Sequence, residues 1–205
     1  MTGDHPGEVV VGFSRDRKQI DDATYNRSTW LTSSIASLRE SGLGARYEHE
    51  LTGAHRDTVL SAVPGVWLPM DVAIAHYSAC DRLELETSVL VALGEGAVRR
   101  AHGTSLGFAV RMARGAGTTP WTLLSQVSRF WEHTCKGGEV GIFKLGPKDA
   151  RIEHVGFPLA RIKYNRVTMR GIISGMLGLF CERLYVHEIR ELCTERSLGF
   201  RVSWA

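Results

Sequence analysis

The sequence predicts an α+β fold: an N-terminal helical half packed on a C-terminal antiparallel sheet of order β-β-α-β-β, with a long glycine-striped helix. Three observations carry this. From Thr119 onward, helix-like and strand-like runs alternate in the order α-β-β-α-β-β. Before that point one strand-like run precedes a series of apolar residues at helical spacing. The composition, 43% hydrophobic and 23% charged, is that of a folded globular chain. A single α+β domain over 8–205 follows, with a mostly helical half at 8–117, an αββαββ half at 118–205 and a disordered start at 1–7.

In chain order, Glu8 to Phe13 reads as a short strand because it holds Val9, Val10 and Val11. Ser28 is placed to cap a helix whose Leu31, Ile35 and Leu38 share a face, and Gly42 lies just beyond its end. Val59, Leu60 and Val63 predict a short helix closed by Pro64, and Pro69 suits the first turn of another running to about Asp81. Leu90, Leu93, Ala97 and Ala101 predict the next, ended by Arg99, Arg100, His102 and Gly103. Leu106, Ala109 and Met112 predict one more, and Gly115 to Thr118 a turn between the halves.

The second half opens with Thr119 as cap and Pro120 at the first position of a helix to Cys135, with Leu124, Val127, Phe130 and Trp131 on its apolar face and Gly137 and Gly138 as its stop. Strand-like runs Glu139 to Leu145 and Ala150 to Phe157 are joined by the turn sequence Gly146-Pro147-Lys148-Asp149, a hairpin. A helix is predicted from Tyr164 to Leu184, with Met169, Ile172, Ile173, Met176, Leu177, Phe180 and Leu184 on one face. Gly171, Ser174, Gly175 and Gly178 make a second stripe of small residues. Each helix-interior glycine is about 1 kcal/mol less favourable than alanine, so the stripe implies close approach of another backbone, either the chain's own sheet or a second copy in a homodimer. Strand-like runs Tyr185 to Cys193 and Gly199 to Trp204 end the chain.

Charge and motifs narrow the function classes. A formal charge of +3 does not by itself point to nucleic acid. No apolar run approaches the ~20 residues that span a bilayer, and the polar, acidic opening Met1-Thr2-Gly3-Asp4-His5-Pro6 is unlike a signal peptide. Cys80, Cys135, Cys181 and Cys193 form no CxxC pair and read as reduced thiols of a cytoplasmic protein. Gly94-Glu95-Gly96 lacks the further glycine and Lys-Ser/Thr of a phosphate loop, and neither Gly-x-Ser-x-Gly nor His-Glu-x-x-His occurs. Glu84 and Glu86 read as a solvated connector, and no catalytic residue is nominated. His76 and Cys80, four apart on one helix, can meet, but zinc wants three or four ligands and no second pair exists at metal spacing. His133 and Cys135 diverge on a helix. Two basic groups remain: Arg99, Arg100, Arg111 and Arg114, and a candidate anion site of Arg161, Lys163 and Arg166, with Arg170, at a helix start. Both lack the interleaved aromatics of a single-strand nucleic-acid platform, and a solvated surface also accounts for them.

Phe130-Trp131, Gly138-Glu139-Val140, Gly156-Phe157-Pro158-Leu159, the helix from Gly171 to Gly178 and the ending Phe200-Arg201-Val202-Ser203-Trp204, with Trp67-Leu68-Pro69 upstream, resemble an uncharacterised family of myxobacterial proteins of about this length. That family shares a superfamily with haem-nitric-oxide/oxygen-binding (H-NOX) domains, four-vinyl-reductase domains and TRAPP subunits. The resemblance implies a non-enzymatic ligand-binding or protein-interaction module, a sensor or scaffold, which the thiols place in the cytoplasm and the glycine stripe makes a homodimer; the alternatives are a haem-based gas sensor through His133 and an enzyme of unrecognised type. It implies a pocket for a small apolar ligand between helices and sheet, lined by Trp121, Phe130, Trp131, Met169, Ile173 and Met176; these six are equally the expected core.

Two motifs of the superfamily are missing. The turn before the last strand, Glu195-Arg196-Ser197-Leu198-Gly199, lacks the cysteine often found there, and Val155-Gly156-Phe157-Pro158-Leu159 stands where the haem-binding branch carries Tyr-x-Ser-x-Arg for the propionates. His133 corresponds to the position of the haem-ligating helix and is the haem candidate; a histidine at a helix C-terminus is equally explained by the dipole. With no propionate clamp, no cofactor is expected.

Overall fold

The computed structural model describes residues 7–102 and 119–205. The helix expected around Leu106, Ala109 and Met112, the turn at Gly115 to Thr118, Arg111 and Arg114, and all but the last residue of the expected disordered start lie outside the described residues.

The fold is α+β and is organised by a five-stranded antiparallel sheet of order β1-β5-β6-β8-β7. Its strands are β1 (Glu8–Val11), β5 (Glu139–Gly146), β6 (Asp149–Val155), β7 (Leu184–Glu188) and β8 (Ser197–Trp204). Alternation decides its faces. Val140 and Ile142, Ala150, Ile152 and His154, and Leu198, Phe200 and Val202 are all buried on one face, in a register that pairs Ile142 with Ile152 and Ile152 with Phe200. β1 pairs with β5, so the N-terminal part of the chain supplies an edge strand. The chain after β1 crosses the other face. Phe13 packs on Phe143, and Arg17 and Arg151 ion-pair with Glu153 at 2.5 and 2.7 Å, which is how a carboxylate only 1% exposed is accommodated.

Helices lie on the inner side: α1 (Ser28–Glu40), α2 (Gly44–Glu50), α3 (Arg56–Leu60), α4 (Met70–Asp81), α5 (Thr87–His102), α6 (Pro120–Leu124), α7 (Val127–Thr134) and α8 (Lys163–Leu177). α7 packs on β5 and α8 on β7, and α4 and α5 pack on α8. A second sheet of order β3-β2-β4 joins β3 (Trp67–Pro69) and β2 (Tyr25–Arg27) to β4 (Cys135–Lys136) at the end of α7. These strands of two or three residues, and α2, are too short to show a period in the sequence.

Several local expectations are corrected. Ser28 does not cap α1: its hydroxyl donates to the Val63 carbonyl and accepts from the Val66 N–H, pinning the loop before β3. Thr119 precedes α6 without a side-chain cap bond. The helix expected from Thr119 to Cys135 is broken at Ser125–Gln126, where the Ser125 hydroxyl bonds the Thr122 carbonyl and competes with the helix ladder. α8 ends at Leu177 instead of Leu184: Gly178 still makes the ordinary helical bond to the Ser174 carbonyl, and the chain leaves the helix after it. β7 stops at Glu188 instead of Cys193; a 3-10 turn over Arg190–Leu192 then lays Leu192 on Gly199, where a Cβ would come within 2.5 Å of the leucine side chain.

Within the chain, Gly171 and Gly175 of the glycine stripe meet α5 and not the sheet. A Cβ on Gly171 would overlap the Val91 carbonyl oxygen and lie 3.1 Å from the Gly94 Cα, and a Cβ on Gly94 would overlap the Thr168 carbonyl. A Cβ on Gly175 would sit 3.1 Å from the Val98 Cβ. Facing Gly94 and Gly171 thus let two helices approach backbone to backbone, whereas a Cβ on Gly178 would meet only Ser174 of its own helix.

A candidate ligand cavity between helices and sheet

A cavity of about 120 Å³ lies between the inner face of the sheet and the helices. Helical spacing builds two of its walls. Along α7, Val127, Phe130, Trp131 and Thr134 share the face that lines it. Along α8, Asn165, Thr168, Met169, Ile172, Ile173 and Met176 do the same, while Gly171 and Gly175 turn to α5. The sheet contributes Val140, Ile152 and His154 from inward positions, Phe157 and Leu159 follow β6, and Asn26, Trp30 and Tyr77 close the side formed by the first half of the chain. Trp131 stands edge-on to Phe157 at 5.1 Å and Trp30 edge-on to Phe130 at 5.9 Å, so aromatic rings frame the space.

Among the described residues, the lining contains no Asp, Glu, Lys or Arg. Most of its polar groups are satisfied within the protein. The Trp131 indole N–H donates to the Gly137 carbonyl, Asn26 Nδ2 to the Thr134 carbonyl, and the Thr168 and Thr134 hydroxyls to carbonyls of their own helices. Two groups are left over: His154 Nδ1 and Asn165 Nδ2 have no hydrogen-bond partner, although the residues are 5% and 4% exposed. A buried polar group without a partner costs on the order of 1–3 kcal/mol, so each needs an account. Burial lowers the His154 pKa to about 4, so the imidazole is neutral at pH 7. Burial also raises the Cys135 thiol to about 11, which leaves it protonated and a poor nucleophile. The cavity offers shape, aromatic surface and two neutral hydrogen-bonding groups.

Of the six residues expected to line a pocket or form core, Phe130, Trp131, Met169, Ile173 and Met176 meet at this cavity. Trp121 does not. Its indole N–H donates to the Pro147 carbonyl and its ring packs edge-on against Trp204, at the hairpin end of the sheet. His133 is exposed on α7, with Nδ1 2.7 Å from the Arg129 carbonyl oxygen, and is absent from the lining. Arg161 and Lys163 are exposed and Arg166 half-buried; the nearby first-turn N–H of Tyr164 is already given to the Asp81 carboxylate at 2.7 Å. His76 and Cys80 do meet, Sγ 3.7 Å from Nε2, but inside the core, where Tyr47 OH lies 2.6 Å from His76 Nδ1. Burial lowers the His76 pKa to about 3 and pushes the Cys80 thiol up, as suits a packed neutral pair. Among the described residues no group of three or more His, Cys, Asp or Glu is placed to hold a metal ion. Arg100 pairs with Glu40 and Arg99 with Glu95.

His154 and Asn165 were not singled out by sequence. Their signal was positional: His154 follows Ile152 by two on an inward strand face, and Asn165 precedes Met169 by four on the apolar helix face.

Structures with this arrangement define its class. The chain is similar to an oxygen-binding H-NOX domain related to soluble guanylate cyclases, with a TM-score of 0.57, 13% identity, and 87% of this chain and 94% of that one covered. It is similar to a variant H-NOX protein from K. algicida in the unliganded Fe(II) state (TM-score 0.62, 7% identity, 87% and 96% covered) and to one from T. Tengcongensis (0.58, 14%, 87% and 97%). The chain therefore has an H-NOX-like fold. No protein-family model matches the sequence, and no curated protein does.

Proposed function

We propose that this protein is a non-enzymatic, cytoplasmic ligand-binding module, a sensor built on the H-NOX-like fold, that takes a small, mostly apolar molecule in place of haem. The observation that carries the reading is a cavity of about 120 Å³ walled by aromatic and aliphatic side chains yet holding two buried polar groups without partners. A residual packing defect would be dry and apolar throughout, whereas binding pockets combine an apolar wall with a few placed polar groups. The four free thiols, two of them buried, suit a reducing compartment.

Haem does not fit the residues present. Ligand pockets for even drug-sized molecules run to roughly 300–1,000 Å³, well above this cavity. Its one imidazole, His154, is hemmed by Trp131, Phe157 and Phe200 at ring distances of 5.3 to 6.3 Å. Among the described residues no cationic side chain lines the cavity to receive propionates, and His133 lies outside it.

The test is native mass spectrometry of protein purified from its own host, beside a Val127→Phe variant that fills the cavity. A small molecule retained by the wild type and lost from a folded variant is the expected result. If the wild type carries none, and no small apolar molecule raises its melting temperature, the reading falls.

A further inference from the structure

We infer that the ligand is uncharged, no larger than about a single six-membered ring, and carries one hydroxyl or carbonyl group that Asn165 and His154 bind. This rests on the ligand-binding reading above and adds the chemical class. Size comes from volume: a cavity of roughly 150 Å³ lined by Leu, Ile and Phe takes benzene, and this one is smaller, about 120 Å³, so a single ring is the upper bound. Neutrality comes from the wall, which among the described residues has no Lys or Arg to compensate an anion and no Asp or Glu for a cation. An unpaired charge taken into such a site is strongly disfavoured. The polar group follows from Asn165 and His154, both at least 95% buried, both lining the cavity, and each with a nitrogen that has no partner. A neutral imidazole and a carboxamide each offer a donor and an acceptor, so a hydroxyl or carbonyl oxygen satisfies them where a hydrocarbon does not.

Three probes on one ring test this: phenol, benzene and benzoate, titrated into the full chain and followed by the fluorescence of Trp30 and Trp131 at the cavity wall. One good hydrogen bond contributes about 0.5–1.5 kcal/mol, or roughly two- to tenfold in affinity. Phenol is expected to bind that much tighter than benzene, and benzoate more weakly than both. Asn165→Leu and His154→Phe are expected to keep benzene binding and lose the preference for phenol. Equal affinity for phenol and benzene, or tightest binding of benzoate, overturns the inference while leaving a ligand cavity in place. Failure of all three probes to bind the wild type removes the cavity reading itself. If a variant no longer binds benzene, the wild-type order of the three probes decides alone.

Discussion

Replacing Gly171 by alanine tests the helix seam at its tightest point. In an exposed helix interior this change is favourable by about 1 kcal/mol. Here the new Cβ overlaps the Val91 carbonyl oxygen and comes within 3.0 Å of its carbon and 3.1 Å of the Gly94 Cα, all backbone atoms of α5 that no rotamer change can move. The helices must separate, and overpacking of this kind costs typically ~1–3 kcal/mol, occasionally more. Contact with fixed backbone puts the cost near the upper end, about 3 kcal/mol, so the propensity gain is outweighed and a net loss of about 2 kcal/mol is expected. Two neighbours calibrate the result. At Gly175 the nearest atoms belong to the Val98 side chain at 3.1 and 3.2 Å, which can give by a few tenths of an ångström, so alanine there should be near neutral. At Gly96 the nearest atoms are guanidinium tips 3.6 Å away, so alanine should stabilise by about 0.5–1 kcal/mol. Urea denaturation followed by circular dichroism, at unchanged m, gives the three values; sedimentation should show the same mass for all, because the seam is internal to one chain. A Gly171→Ala protein as stable as wild type, or a rank order in which Gly96→Ala is worst, would refute the packing argument.

Three further outcomes are expected. Ile173→Ala should lose about 2–5 kcal/mol, since Ile173 is buried between α8 and the sheet, and Met176→Ala less, since Met176 is half-buried at the cavity; equal losses in thermal or chemical unfolding would contradict this placement. His154 and His76 have folded pKa values of about 4 and 3, below the ordinary 6.5, so folding favours their neutral forms. Their contribution is intact above pH 6.5 and is withdrawn as pH falls toward those values, at roughly 1.4 kcal/mol per pH unit for each. A His154→Leu variant should therefore show a shallower fall in stability between pH 6.5 and 4, and an unchanged slope would count against a buried neutral imidazole. Protein expressed with haem supplied should show no Soret band; a stoichiometric band abolished by His133→Ala would return the haem reading.

Periodicity is a local property, and what it governs was legible in the sequence. Inward positions of β5, β6 and β8 alternate as apolar residues, and Met169, Ile172, Ile173 and Met176 repeat at helical spacing, so the central sheet and α8 follow from the chain itself. The partners of those faces were not legible, because they lie far away along the chain. Gly171 is a glycine for the sake of Val91 and Gly94 on α5, and Asn26 on β2 bonds the Thr134 carbonyl 108 residues on. Interruptions of a few tenths of a kcal/mol, such as the Ser125 hydroxyl turning to the Thr122 carbonyl, split a helix that the pattern alone runs straight through. The cavity is the clearest case. The sequence placed Phe130, Trp131, Met169, Ile173 and Met176 together as pocket or core, and nothing local distinguishes the two. Whether space remains among them depends on how the volumes of α1, α4, α6, α7, α8 and the sheet sum at one point, and on two polar side chains left there without partners. Only the tertiary structure sets that sum.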